Sequence, residues 1–190
     1  MGGVGEQEQD PLGKGVPKVP AGDGITVLGA PVGYENFARE GLTDKVEKVQ
    51  KVTEMLPLLK DPHLEFVLLR SCLSLPKLMF LLRTLDTTIF GDQLEQFDMV
   101  TRGALSRILG TPITDVGWEQ AKLPVSMGGL GLRAASDHAG VAFASSLLSA
   151  QPLIDTLLGQ QGDEEPPVLP QPLLDSISAR QGEAATTEQG

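Results

Sequence analysis

Apolar positions recur at three and four residues over most of the chain, the period of helices with one buried face. Val46, Val49, Val52 or Thr53, Leu56 and Leu59 fall on one side, while Lys45, Glu47, Lys48, Lys51 and Glu54 stay on the other. This predicts an amphipathic helix capped by Thr43 or Asp44, with Pro57 kinking or shortening its end. Asp61-Pro62 offers a cap followed by a proline at the first helical position, so a second helix is expected through Leu64, Val67, Leu68, Ser71, Cys72 and Leu75. Asp86 or Thr87 opens a third helical region carrying Leu94, Phe97, Val100, Ala104, Leu105, Ile108 and Leu109, closed by Gly110. Thr114 or Asp115 caps a short helix around Trp118. After a glycine-rich loop, Ser136 or Asp137 starts a last helix through Val141, Phe143, Leu147 and Leu148.

One segment has a different rhythm. Gly24-Ile25-Thr26-Val27-Leu28-Gly29 places β-branched residues between glycines, with Pro31 and Gly33 beyond, and reads as a short strand leading into a turn. The two ends are rich in Gly, Pro, Gln and Glu and have no hydrophobic period. The expected fold is therefore mainly α, a helical bundle of about five helices with one short N-terminal strand or hairpin and disordered termini. Its divisions are a disordered head at 1–22, the strand and turn at 23–40, a helical domain at 41–159 and a disordered acidic tail at 160–190.

Composition fits this reading: of 190 residues 41% are hydrophobic but only 4% aromatic, so the core is one of Leu, Val, Ile, Ala and Met. The net charge of -10 opposes free-standing nucleic-acid binding, which draws its affinity from clustered Lys and Arg. Half of that charge lies beyond Gln160, where six acidic residues face Arg180 alone. Between Glu40 and Arg133 eleven basic residues nearly balance twelve acidic ones, so a basic face on the body is still open. Lys45, Lys48 and Lys51 form a stripe; Lys77, Arg83, Arg102 and Arg107 are scattered over later helices. Read from composition alone, such residues are ordinary solvated faces with i,i+4 ion pairs.

Candidate chemistry is sparse. Cys72 is the single cysteine, which excludes an internal disulfide and, with only His63 and His138 beside it, argues against a zinc site. Cys72 reads as a small buried hydrophobe, His63 as an exposed residue and His138 as structural or solvated. Asp86, Asp92 and Asp98 read as caps or solvated helical charges, and no carboxylate pair suits two metal ions. Gly128, Gly129 and Gly131 lack the Lys-Ser/Thr of a phosphate loop and are read as a structural turn. Residues 64–82 are apolar, but Glu65, Arg70, Pro76, Lys77 and Arg83 interrupt or border them, so no membrane span is expected there. No catalytic residue, metal or cofactor is expected. The head lacks a signal-peptide core, and the expected location is intracellular, cytoplasmic or nuclear.

Several segments in order carry a resemblance. Val27-Leu28-Gly29-Ala30-Pro31-Val32-Gly33, then the Lys/Val helix, Leu69-Arg70-Ser71-Cys72 with Lys77-Leu78 and Leu82-Arg83-Thr84, Phe97-Asp98, Trp118-Glu119-Gln120-Ala121-Lys122-Leu123-Pro124 and Gly128-Gly129-Leu130-Gly131-Leu132-Arg133 resemble the region after the palm in reverse transcriptases of non-LTR-type retrotransposons, which are RNA-directed DNA polymerases. The resemblance implies that residues 23–40 are the strand and turn closing the palm. Leu28, Gly29, Pro31 and Gly33 would then belong to a primer-side turn. It also implies that 41–159 is a thumb-like and connecting region tracking a template-primer duplex. Lys45, Lys48 and Lys51 are the candidates to face that duplex, with no family motif fixing them as contacts. The family's paired palm aspartates, in a Phe/Tyr-x-Asp-Asp hairpin, and its further aspartate are not in this sequence, so the stretch is expected to have no polymerase chemistry of its own. The expected partners are an RNA-DNA or DNA duplex, and a palm or another protein covering apolar surface left beside the strand edge. The alternative is a helical protein-protein interaction module without nucleic-acid binding.

Overall fold

The computed structural model describes Pro20, residues 23–159, Leu174 and Ser178. The expectations for the head at 1–22 and the tail at 160–190 fall almost wholly outside the described residues. The body is mainly helical and is led by a hairpin. Strands β1 (Ile25–Val27) and β2 (Ala30–Val32) pair antiparallel, with Ile25 opposite Val32 and Val27 opposite Ala30. Leu28 and Gly29 make the two-residue turn and both have positive φ, 52° and 92°, the requirement of a type I′ turn that matches strand twist. Ala30 and Pro31 are buried, whereas the outer strand residues face solvent.

Helix α1 (Glu35–Glu54) buries Ala38, Leu42, Val46, Val49 and Thr53 at steps of three and four. It begins eight residues before the expected cap. Thr43 lies inside it and donates its hydroxyl to the Arg39 carbonyl at 2.9 Å, while Tyr34 occupies the N-cap position with no side-chain hydrogen bond. The division expected between residues 40 and 41 therefore falls within one helix. Gly41 lets that helix seat on the hairpin, since a Cβ there would stand 2.8 Å from Pro31 Cγ. Of the two alternatives at the end of the apolar face, Thr53 is buried and Val52 exposed. The Thr53 hydroxyl is satisfied by the Val49 carbonyl at 2.7 Å, so its burial leaves no unpaired polar atom.

A 3-10 turn at Leu56–Leu59 carries Pro57, and Asp61 then caps α2 (Pro62–Leu68), accepting from the His63 and Leu64 N–H groups at 2.9 and 3.2 Å. The expected single helix through Leu75 is divided: a π turn at Leu69–Leu73 follows α2, and α3 (Leu75–Thr84) starts afresh with Pro76 in its first turn. Pro76 has no N–H to lose there, so it starts a helix instead of kinking one. After a 3-10 turn at Thr87–Ile89, α4 (Gly91–Leu109) ends on Gly110 in the left-handed region. Helix α5 (Asp115–Lys122) is capped by Thr114, whose hydroxyl oxygen accepts from Gly117 N–H at 3.1 Å. The last helix, α6 (Ala135–Leu158), runs through Pro152 to Gly159.

Two buried clusters share α4 as their common wall. The first gathers Leu42, Val46 and Val49 with Leu78, Leu82, Phe90, Leu94 and Phe97 and the small residues Ala135 and Ala139 of α6. The second holds Leu69, Leu73, Ala104, Leu105, Trp118, Ala121 and Leu132. Each fully buried leucine or phenylalanine contributes about 1.5–3 kcal/mol by leaving water. The first half of α6 presents Ala135, Ala139, Gly140 and Ala144 to the body, which allows close approach to α3 and α4. Its second half buries nothing, and Leu153, Leu157 and Leu158 are 62%, 76% and 65% exposed. Among the described residues this helix, and not the 64–82 stretch, is the one long and apolar enough to cross a membrane by length and composition. Residues 64–82 are broken into α2, the π turn and part of α3.

Candidate nucleic-acid interface

Pro31 packs against Gly41 of α1, and Gly41, Lys45 and Lys48 follow at i, i+4 and i+7 along one helical face. Lys45 thus stands about one helical turn, and Lys48 about two, beyond the residue on which the hairpin packs. Lys45 is half-buried, and Lys48 and Lys51 are exposed. Lys51 reaches Glu47 at 4.0 Å, an exposed i,i+4 pair that holds its ammonium only weakly. Among the described residues Lys45 and Lys48 have no carboxylate partner, so their charge is available to an external anion. Leu28 stands at the hairpin tip, 92% exposed, with Gly29 and Gly33 also at the surface and Pro31 buried.

Three arginines are tied to other parts of the body. Arg39 donates to Glu35 and Gln93 and lies 5.1 Å from the Phe90 ring centroid. Arg107 donates to the Thr53 carbonyl at 3.2 Å, fastening the end of α1 to α4. Arg102 donates to the Ile113 carbonyl and pairs with Asp115 at 2.8 Å. Arg102 and Arg107 thus satisfy the free carbonyls and loop ends of this body, and the scattered-cation set that the sequence suggested loses two of its members.

Gly128, Gly129 and Gly131 lie in the loop between α5 and α6, whose Leu130 and Leu132 pack in the second cluster. Ala121 and Leu123 at the end of α5 accept from Leu130, Gly131 and Leu132 N–H groups, folding the loop back on its own helix. Two polar ties then anchor where α6 begins. Asp98 of α4, expected as a cap of its own helix or a solvated charge, is buried and caps α6 instead. It accepts from Ala135 N–H at 2.6 Å, Ser136 N–H at 3.0 Å and the Ser136 hydroxyl at 2.6 Å. Lys122 bridges Glu119 at 2.8 Å and Asp137 at 2.9 Å. Burial pulls the Lys122 ammonium down, but the bonds to Glu119 and Asp137 outweigh it and its pKa is raised.

Burial raises the Asp98 carboxyl above its ordinary value, against the three hydrogen bonds from Ser136 and Ala135 that lower it. A carboxyl whose folded pKa is raised contributes stability that is full below the unfolded pKa and is lost as pH rises through the folded pKa. The native chain is therefore expected to lose stability relative to Asp98→Asn as pH rises from below 3.8 through the weakly acidic range, read by denaturant melts at several pH values. A difference that grows in favour of the native chain over that range would show the hydrogen bonds to outweigh burial.

Among the described residues no three His, Cys, Asp or Glu side chains group as a metal site. Cys72, expected buried, is exposed on the π turn, because that turn directs Leu69 and Leu73 inward and leaves Cys72 outside. His138 Nδ1 lies 2.9 Å from the Ala134 carbonyl, a bond that requires the proton on that nitrogen. The fold is that of a hairpin-led helical body, and α1 carries Lys45, Lys48 and Lys51 among the acids Asp44, Glu47 and Glu54. Comparison with protein-family models, with curated proteins and with solved structures finds no match.

Proposed function

We propose that this chain is a non-catalytic, thumb-like element of the reverse transcriptase kind, which grips a nucleic-acid duplex through its phosphates and performs no polymerisation itself. The observation that carries the reading is the α1 surface, where Lys45 and Lys48 stand unpaired beside a hairpin whose tip projects Leu28. Lys45 to Lys51 spans about 9 Å of helix axis, a distance over which duplex phosphates are always within reach. The order of motifs along the chain supplies the family assignment, and the helical body with a leading hairpin is the architecture that assignment calls for. Half of the net charge that opposes such binding lies beyond Gln160, and between Glu40 and Arg133 basic and acidic residues nearly balance.

The test is anisotropy of a labelled RNA-DNA duplex with the full chain and with Lys45→Glu/Lys48→Glu/Lys51→Glu. The native chain is expected to bind at low salt and the triple variant to bind at least tenfold more weakly, each lost phosphate contact removing part of the electrostatic attraction. Equal binding by both would remove α1 from the interface. A second reading, a helical protein-protein module, is favoured by the uncovered apolar second half of α6 and is the one left if no duplex binds.

A further inference from the structure

Two motifs 63 positions apart in the sequence meet at one cleft. Leu69-Arg70-Ser71-Cys72 lies on the π turn and Gly131-Leu132-Arg133 at the end of the glycine loop, and Arg70, Ser71, Gly131 and Arg133 from them line a cleft of about 460 Å³. Arg70, Arg133, Ser71 and Ser74 supply its polar wall, and Pro76 and Met79 help to form the apolar one. Among the described residues no carboxylate lines it, and the side chains of Arg70 and Arg133 have neither an ion pair nor a hydrogen bond, unlike those of Arg39, Arg102 and Arg107.

The arrangement is built by the backbone. Ser74 N–H donates to the Leu69 carbonyl at 2.9 Å, the widened bond of a π turn, and the Ser74 hydroxyl donates to the Arg70 carbonyl at 3.0 Å. Such turns are rare and occur often at functional sites. Across the cleft, Gly131 has φ of 68°, and a Cβ there would already touch the Arg70 guanidinium at 3.5 Å. The absent side chain leaves room for Arg70 to lie along the loop. Leu132 is fully buried and Asp98 fixes Ala135, so Arg133 is held between two anchored positions. Two like charges are thereby kept in one cleft without a counter-charge, in a chain of net charge -10. An anion bound between them removes that repulsion, and guanidinium groups match the oxygens of phosphate in paired, planar hydrogen bonds.

We infer that the Arg70/Arg133 cleft is a phosphate-binding site, and that its source is a backbone phosphodiester of the duplex proposed above. The source rests on that reading; the chemistry of the cleft does not. The volume lies within the range of about 300–1,000 Å³ usual for small-ligand sites, so inorganic pyrophosphate is a fair probe of the cleft alone.

The experiment titrates the full chain with pyrophosphate by calorimetry and with a labelled RNA-DNA duplex by anisotropy, for the native protein, Arg70→Gln, Arg133→Gln and the double variant. Circular dichroism verifies that these exposed substitutions leave the fold intact. Pyrophosphate binding weakened about tenfold or more by each single change, together with weaker duplex binding, supports the inference and its source. Arginine-dependent pyrophosphate binding with no duplex binding supports the phosphate site, assigns it a small free phosphate and ends the duplex reading. Duplex binding that needs the α1 lysines but not the arginines, with no arginine-dependent pyrophosphate binding, overturns the inference and leaves the duplex reading standing.

Discussion

Replacing Asp98 with Ala is expected to destabilise the protein by about 3 kcal/mol, because the buried N–H of Ala135 and the half-buried N–H of Ser136 both lose the carboxylate that accepts from them. Asp98 is 8% exposed, so water does not readily replace the carboxylate. For a body of this size that corresponds to a fall of roughly 6–12 °C in Tm. Ser136→Ala is the matched control: it removes the hydroxyl bond but keeps both backbone donors paired, and its expected cost is about 1 kcal/mol. Thermal melts of the two variants decide the matter. Equal, small losses would mean that the α6 start is held by packing alone and that Asp98 is dispensable.

Gly129→Ala is the second large effect. A Cβ at this buried position would overlap the Leu123 carbonyl and the Leu123 Cβ, neither of which is the far end of a flexible side chain that could yield. The loop must shift, with an expected loss on the order of 2 kcal/mol or more. At neighbouring Gly128 the space is open and only the left-handed φ of 81° resists a side chain, so Gly128→Ala is expected to lose about 1 kcal/mol. Urea melts giving the order native, Gly128→Ala, Gly129→Ala in falling stability are the expected result. The reverse order would mean that the loop does not fold back on α5 as the structure places it.

The elements with strong periodicity and a side-chain cap were legible in the sequence. Asp61, Thr114 and Gly110 terminate helices where their chemistry places them, and the β-branched run at Ile25–Val27 forms a strand, but the turn falls at Leu28-Gly29, inside the segment read as strand, and Pro31 belongs to β2. The start of α1 was not legible, because Tyr34 offers no capping oxygen and Gly33 and Gly41 weaken the helical signal on either side of it. Nor was the π turn, which differs from the flanking α-helix by one residue of register and leaves the apolar spacing of Leu69 and Leu73 nearly unchanged.

The candidate site divides in the same way. The α1 lysines are visible as a stripe because helical period alone sets their face. Arg70 and Arg133 carried no signal of their own: a cation is ordinary at either place, and only the fold of the glycine loop onto α5 brings them together. Asp98 had the opposite problem. Its spacing on α4 sits next to Phe97 on the buried side, but its role depends on α6, 37 residues further on.

The most direct test of the central claim is the salt dependence of duplex binding by the full chain. If the α1 lysines and the arginine cleft engage phosphates, log Kobs is expected to fall linearly with log salt, with a slope near −0.9 for each phosphate neutralised. The Lys45→Glu/Lys48→Glu/Lys51→Glu variant should then flatten that slope by about 2 or more. A slope near zero, or no complex at the lowest salt, would contradict the account and leave a helical body whose exposed apolar surface on α6 serves a protein partner.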